Sequence, residues 1–339
     1  MKSSFAGARR IGSCLLGGLL IPLLAGSSVA FAQTAARAQP PLPPTISDKA
    51  KAAVLANEAS AASAPLDLAG QRTFIDNYQQ TFGDLQRKTY AVDITETSMA
   101  GVPVRIITAK GMVLPRSGPV LLNLHGGGFM LDSGSRTENI PIAALTKLPV
   151  VAVRYRLAPE HPYPAGLDDA VAVYRELLKT HKPGDIALYG TSAGAILGPE
   201  VIVRLRAEGL PMPAALGVFA GDADLSVMGD QGIGQKFDPA LLSRIYLGKH
   251  DPADPAVSPG RGDLHGFPPT MCMTSTRDIL MSPTLSFCRA LELAGVENKL
   301  VVFDGLPHAF WSYLDTPESD QAFQIMARFL ASHVERKTR

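Results

Sequence analysis

Gly190-Thr191-Ser192-Ala193-Gly194 is the segment of this chain with the most chemical content. An apolar run over 186–189 precedes it and a helical stretch over 195–208 follows, so the serine is expected on a sharp strand-turn-helix corner. Side chains two positions either side of such a serine would collide, and glycine stands at both. Ser192 is therefore a candidate nucleophile for acyl transfer, if a base can reach it. A turn rich in Gly and Ser is also common and inert, so the motif gains force only from its companions.

Two companions are present. His125-Gly126-Gly127-Gly128-Phe129 follows the apolar run Val120–Leu124. A run of glycines lets backbone N–H groups point into a cavity unobstructed, and donors so placed stabilise the oxyanion of an acyl-transfer intermediate. The N–H groups of Gly127 and Gly128, with that of Ala193, make such a hole. The competing readings are a flexible turn and a phosphate loop, and the latter lacks the Gly-Lys-Ser/Thr that should follow. His125 itself is expected to hold the loop. The second companion is Pro307-His308-Ala309-Phe310, which puts a histidine in a loop after the run 300–303.

These residues need a scaffold. From Tyr90 onward, Val92 and Ile94, then Val102, Val104 and Ile106, alternate like a strand pair joined near Ala100-Gly101. Apolar runs then alternate with helix-length segments: Val120–Leu124, Val150–Val153, 186–189, Ala215–Phe219, 270–273 and 300–303. Unbroken apolar strands separated by helices indicate a parallel sheet covered on both faces, an α/β fold. Leu167, Ala170, Val171, Tyr174, Leu177 and Leu178 share one helical face, as do Phe323, Met326, Leu330 and Val334. The irregular connection over 221–264 has the length of a lid or binding wall.

An α/β-hydrolase presents its residues in the order Ser, then Asp or Glu, then His, which selects His308. His181, His250, His265 and His333 fall in a helix end, the lid-like connection, a strand approach and the final helix. Two acids precede His308. Asp304 shares its loop and suits a turn cap, whereas Asp278 follows the run 270–273 by a short loop. A helical pattern beginning near Pro283 and closing at Gly295 then brings the chain back to the next strand. Asp278 is the expected orienting acid.

The sequence resembles the hormone-sensitive lipase family of esterases from about Tyr90 to its end. The resemblance rests on His125-Gly126-Gly127-Gly128-Phe129, Tyr155-Arg156-Leu157-Ala158-Pro159-Glu160-His161-Pro162-Tyr163-Pro164-Ala165, the serine elbow and Pro307-His308-Ala309-Phe310. Asp254-Pro255-Ala256-Val257-Ser258-Pro259 and Phe267-Pro268-Pro269-Thr270 are also similar to family segments. It implies an α/β-hydrolase fold, an N-terminal helical cap, an oxyanion hole at Gly127, Gly128 and Ala193, and cleavage of short to medium acyl esters. Thr191 stands where the family more often has Asp, which resembles a threonine branch. Asp278-Ile279-Leu280-Met281-Ser282 lacks the proline and second acid of the usual Asp-Pro-Leu-x-Asp.

The remainder of the chain sets the context. Lys2, Arg9 and Arg10, the apolar stretch 11–24 and Ala30-Phe31-Ala32 read as a signal peptide over 1–32, so export to a periplasm or medium is expected. The route, Sec or twin-arginine, stays open. That stretch falls short of the ~20 apolar residues of a spanning helix, so no membrane span is expected after processing. Residues 33–65 are read as an Ala/Pro-rich linker. Residues 66–89 are read as part of the cap, which helical composition over 48–62 and 71–88 could extend back to near 48, and 90–339 as the hydrolase domain. A formal charge of +1 with scattered Lys and Arg argues against nucleic-acid binding. Cys272 and Cys288 are expected to be buried and unpaired, with a single bridge open on export. No metal or organic cofactor is called for, the expected partner is a small-molecule ester, and a homodimer stays open. The alternatives to a serine carboxylesterase with Ser192, His308 and Asp278 are a lactone hydrolase using the same residues and a non-catalytic ligand-binding member of the fold. The presence of all three triad residues argues against the latter.

Overall fold

The computed structural model describes residues 41–61, 64–227, 229–230 and 244–334. The signal peptide and the first part of the linker expected from the sequence lie outside these residues. Strands covered on both faces must be apolar throughout, and β3 (Val120–Leu124), β4 (Val150–Val153), β5 (Ile186–Thr191) and β6 (Ala215–Phe219) are buried at every position. They run parallel to one another and to β7 (Thr270–Arg277) and β8 (Asn298–Pro307). The hairpin of β1 (Val92–Met99) and β2 (Val102–Ala109) joins antiparallel, giving the order β1-β2-β4-β3-β5-β6-β7-β8. Ala100 and Gly101 both have positive φ, as a two-residue turn matched to strand twist requires.

Because side chains alternate along a strand, each core strand feeds both layers. Leu122, Leu188, Val218 and Cys272 pack with α4 (Ala165–Leu178), α5 (Ala193–Ala207) and α6 (Met281–Leu293). Leu121, Ala187, Phe219 and Met273 pack with α3 (Asn139–Thr146) and α7 (Pro317–Val334). The expected fold, a mostly parallel sheet with helices on both faces, is the one observed. Truncating one leucine in such a layer typically costs about 2–5 kcal/mol, so the sheet edge carrying the site is a stiff base.

The two N-terminal helices divide the labour expected of a cap. The chain turns helical at α1 (Asp48–Ala61), so the linker expected over 33–65 gives way to helix well before its end. Ala50 and Val54 of α1 join the α7 layer, where Ser47 N–H donates to Glu318 (2.6 Å). In contrast α2 (Leu68–Gln86) runs over the loops that follow the parallel strands. Arg72 Nε donates to the Met130 carbonyl (2.9 Å), Gln79 to that of Asp132 (2.6 Å) and the Tyr78 hydroxyl to that of Tyr313 (2.8 Å). Thus α2 covers the site loops and α1 braces the last helix. Among the described residues no helix is long and apolar enough to cross a membrane.

Candidate active site

β5 ends at Thr191 and α5 begins at Ala193, leaving Ser192 alone on the corner. Its backbone lies at φ 56° and ψ −121°, a conformation that persists only when its surroundings enforce it. One restraint is its N–H, which donates to the Phe219 carbonyl of β6 (2.9 Å). The flanking glycines supply the others by close approach. A Cβ on Gly190 would come 2.3 Å from the carbonyl carbon of Gly194, and one on Gly194 would come 1.9 Å from the Leu124 oxygen. Both glycines are required by space, as the sequence pattern implied.

The structure brings the three expected side chains together. His308 Nε2 lies 2.8 Å from Ser192 Oγ, and His308 Nδ1 lies 2.6 Å from Asp278 Oδ1. Asp278 follows β7 directly, because that strand runs to Arg277 rather than ending at Met273. Its polar second half, Thr274-Ser275-Thr276-Arg277, conceals a strand that stays paired with β8 through Ser275 before a bulge. Asp278 is fully buried and doubly fixed, Oδ2 accepting from the Thr274 hydroxyl (2.9 Å) and Oδ1 from the Leu280 N–H (2.8 Å). The Tyr313 hydroxyl holds the His308 carbonyl (2.7 Å). With Asp278 accepting from Nδ1–H, Nε2 presents its lone pair to the serine hydroxyl, the tautomer a general base needs.

Asp304 is not part of this line. Its carboxylate accepts from the hydroxyls of Thr45 and Thr276, which hold it below its ordinary range. Four of the other histidines are engaged elsewhere. His181 faces the Gly118 carbonyl, His250 the edge of Tyr163, His265 the side chain of Asp263 and His333 the Phe329 carbonyl.

The glycine loop reaches the same edge because β3 and β5 are neighbours, with Leu124 opposite Gly190. Its carbonyls are taken up internally: Gly127 accepts from Met130 (3.1 Å) and Leu131 (3.0 Å), and Gly126 from Ser133 (3.2 Å). The N–H groups of Gly127, Gly128 and Ala193 donate to no acceptor among the described residues. Ala193 opens α5, whose partial positive end favours an anion at this place. His125 supports the loop as expected, stacking on Tyr155 at 4.2 Å with Nδ1 facing the Gly126 carbonyl (2.8 Å). Burial pushes its pKa down and keeps the ring neutral. Phe129, next in the loop, stacks on Tyr246 at 3.6 Å, and the Tyr246 hydroxyl donates to buried Glu200 of α5 (2.5 Å). This part of the 221–264 connection therefore walls the glycine loop.

Sequence reasoning missed a polar cluster beneath the corner. Glu138, Asn139 and Asn123 are all buried, and Asn139 Nδ2 donates to Asn123 Oδ1 (2.9 Å). Burial pushes the Glu138 carboxyl up to about 8. An acid ahead of an apolar helix reads as an N-cap, but Glu138 makes no side-chain capping bond to α3 and turns inward instead. Cys272 and Cys288 are buried and free. Among the described residues no set of His, Cys, Asp and Glu could hold a metal ion.

Residues 121–312 match the family model described as alpha/beta hydrolase fold. An acetyl-hydrolase of Streptomyces hygroscopicus is 33% identical over 75% of this chain and 92% of its own. An esterase of Acinetobacter venetianus is 32% identical over 71% of this chain and 82% of its own. Among solved structures, esterase E25 superposes with a TM-score of 0.73 at 31% identity, covering 90% of this chain and 99% of its own. An esterase of the bacterial hormone-sensitive lipase family superposes with a TM-score of 0.68 at 29% identity, covering 79% and 92%.

Proposed function

Since the chain belongs to the alpha/beta hydrolase fold family and is a carboxylic ester hydrolase, we propose that it is a serine carboxylesterase of the threonine branch of hormone-sensitive lipase-like enzymes, with Ser192, His308 and Asp278 as its catalytic triad. The observation that carries this reading is the continuous line from Asp278 Oδ1 through His308 to Ser192 Oγ, at 2.6 and 2.8 Å. His308 takes the proton as Ser192 attacks the ester carbonyl, and Asp278 holds the ring and stabilises its cation. The N–H groups of Gly127, Gly128 and Ala193 receive the charge on the carbonyl oxygen. The alcohol leaves with the proton from His308, and water then releases the acyl group by the same route. A serine-directed fluorophosphonate should label the protein once, on the peptide containing Ser192. Label elsewhere, or none on active protein, rejects the assignment.

The relatives' printed names, acetyl-hydrolase and esterase, and the loops closed over by α2 support short to medium acyl chains as substrates. Across 4-nitrophenyl esters of graded length, kcat/KM is expected to peak at the acetyl to hexanoyl end and to exceed that for emulsified long-chain triglyceride by more than about tenfold. A long-chain optimum would overturn this. The leader-like pattern up to Ala32 supports export, with mature protein beginning near Gln33. Intact-mass measurement on protein recovered outside the cytoplasm checks it, and retention of Met1 would exclude it.

A further inference from the structure

Glu138 has no part in the mechanism above, yet its carboxyl lies under both segments that supply the oxyanion donors. It is 2% exposed, at the entry to α3. From the glycine loop, the Gly126 N–H points to Oε1 at 3.4 Å. From the elbow, the Thr191 side chain is near enough to act on the same carboxyl and lower its pKa slightly. Asn123 of β3 approaches Oε2 at 3.5 Å. On the remaining side the loop passes so close that a Cβ at Gly134 would come 1.9 Å from Oε1. The enclosure continues through Asn123 and Asn139 to the Tyr189 hydroxyl on β5, three residues ahead of the serine.

We propose that Glu138 is a positioning residue that ties the two halves of the oxyanion hole together, holding Gly126 beside the Gly127 and Gly128 donors and Thr191 beside Ser192 and Ala193. The proposal rests on the reading of Ser192 as nucleophile and extends it. No single contact here is strong, since 3.4–3.5 Å lies beyond the usual range. The leverage comes from place, because Gly126 directly precedes the Gly127 donor and Thr191 lies two residues ahead of Ala193, and a small displacement of donors is felt in the transition state more than in the bound ester. The arrangement also gives Thr191 a reason. An aspartate there would set a second carboxylate against Glu138, whereas a hydroxyl can bond to it in either protonation state.

The charge on Glu138 then matters to the rate. Asp132 from the glycine loop faces it and raises its pKa further, and the tyrosines facing it, Tyr155 after β4 and Tyr189 on β5, are themselves pushed up by burial. Asn123, Asn139 and Thr191 are neutral, and no cation is among the groups that act on it most strongly. With its pKa near 8 the carboxyl is mostly neutral at pH 7, and above pH 8 it places a negative charge beneath a hole that must accept one. The folded value exceeds the ordinary 4.5, so its contribution to stability is complete below about 4.5 and lost as pH rises through about 8.

The experiment measures kcat and KM of the full-length enzyme and of Glu138→Gln, Glu138→Ala and Thr191→Val on 4-nitrophenyl acetate between pH 6 and 10, with Ser192→Ala as the blank. Wild-type kcat is expected to fall about tenfold from pH 7 to 9.5. Glu138→Gln, which keeps the shape without the titration, should keep at least about a fifth of kcat at pH 7 and lose the alkaline decline. Glu138→Ala should lower kcat about 10²-fold and Thr191→Val about tenfold, each with KM within about threefold. An alkaline decline that persists in Glu138→Gln, or losses confined to KM, overturns the proposal. If Glu138→Ala does not fold, the Glu138→Gln profile decides. Turnover by Ser192→Ala equal to wild type would instead reject the nucleophile.

Discussion

Ser192→Ala is expected to lower ester turnover by at least ~10³-fold while leaving the fold intact. Removing Oγ takes away the atom that faces His308 Nε2 at 2.8 Å, and what remains is the hole and substrate binding, which catalyse weakly without a nucleophile. The fold should survive because what fixes the corner is main chain. The Ser192 N–H bond to Phe219 and the contacts of Gly190 and Gly194 do not involve the hydroxyl. Alanine at a positive φ is already accepted in this chain at Ala220 and Ala309. Turnover of a 4-nitrophenyl ester, read beside circular dichroism and melting temperature, checks both halves. Activity retained with an unchanged spectrum places the nucleophile elsewhere.

The second large effect separates the two acids that precede His308. Asp278→Asn keeps size and hydrogen-bonding capacity but can offer its amide N–H to Nδ1, favouring the tautomer that turns Nε2–H toward the serine. Turnover at neutral pH should fall by roughly 10²–10⁴-fold. The site resists rescue, since Thr274 and the Leu280 N–H hold the fully buried carboxyl where it is. Asp304→Asn removes only an exposed clamp between Thr45 and Thr276, so its effect on turnover should stay within about tenfold. The two variants are compared by kcat/KM on one substrate and one preparation scheme. The opposite ranking would move the orienting role to Asp304.

How much of this was legible in the sequence follows from what each signal depends on. Strands buried on both faces announce themselves as unbroken apolar runs, and Val120–Leu124, Val150–Val153 and Ala215–Phe219 have the limits their composition suggests. The end of β7 was not legible, because the strand beyond Met273 is built from threonine, serine and arginine and lacks the apolar run that marks a strand buried on both faces. That Ser192, His308 and Asp278 would meet could be anticipated, since chain order and strand ends restrict where such residues stand. The different destinations of α1 and α2 could not. One helix is rich in alanine and the other in glutamine, so neither composition says which neighbour it meets, and only tertiary bonds such as Arg72 to Met130 and Ser47 to Glu318 decide it. Glu138 was hidden for a further reason. A carboxyl ahead of a helix suggests capping, and nothing local tells that its side chain turns into the protein.

The stacking of Tyr246 on Phe129 gears two properties that enzymes can otherwise tune apart. Tyr246 belongs to the long connection after β6, while Phe129 is covalently next to Gly128. A replacement in that connection that reshapes the room around the substrate also shifts the ring pressing on the glycine loop. The anchor of Tyr246 on Glu200 passes the same disturbance to the helix that Ser192 opens. A change in that wall is therefore felt at both the glycine loop and the helix behind the serine, through one pair of stacked rings.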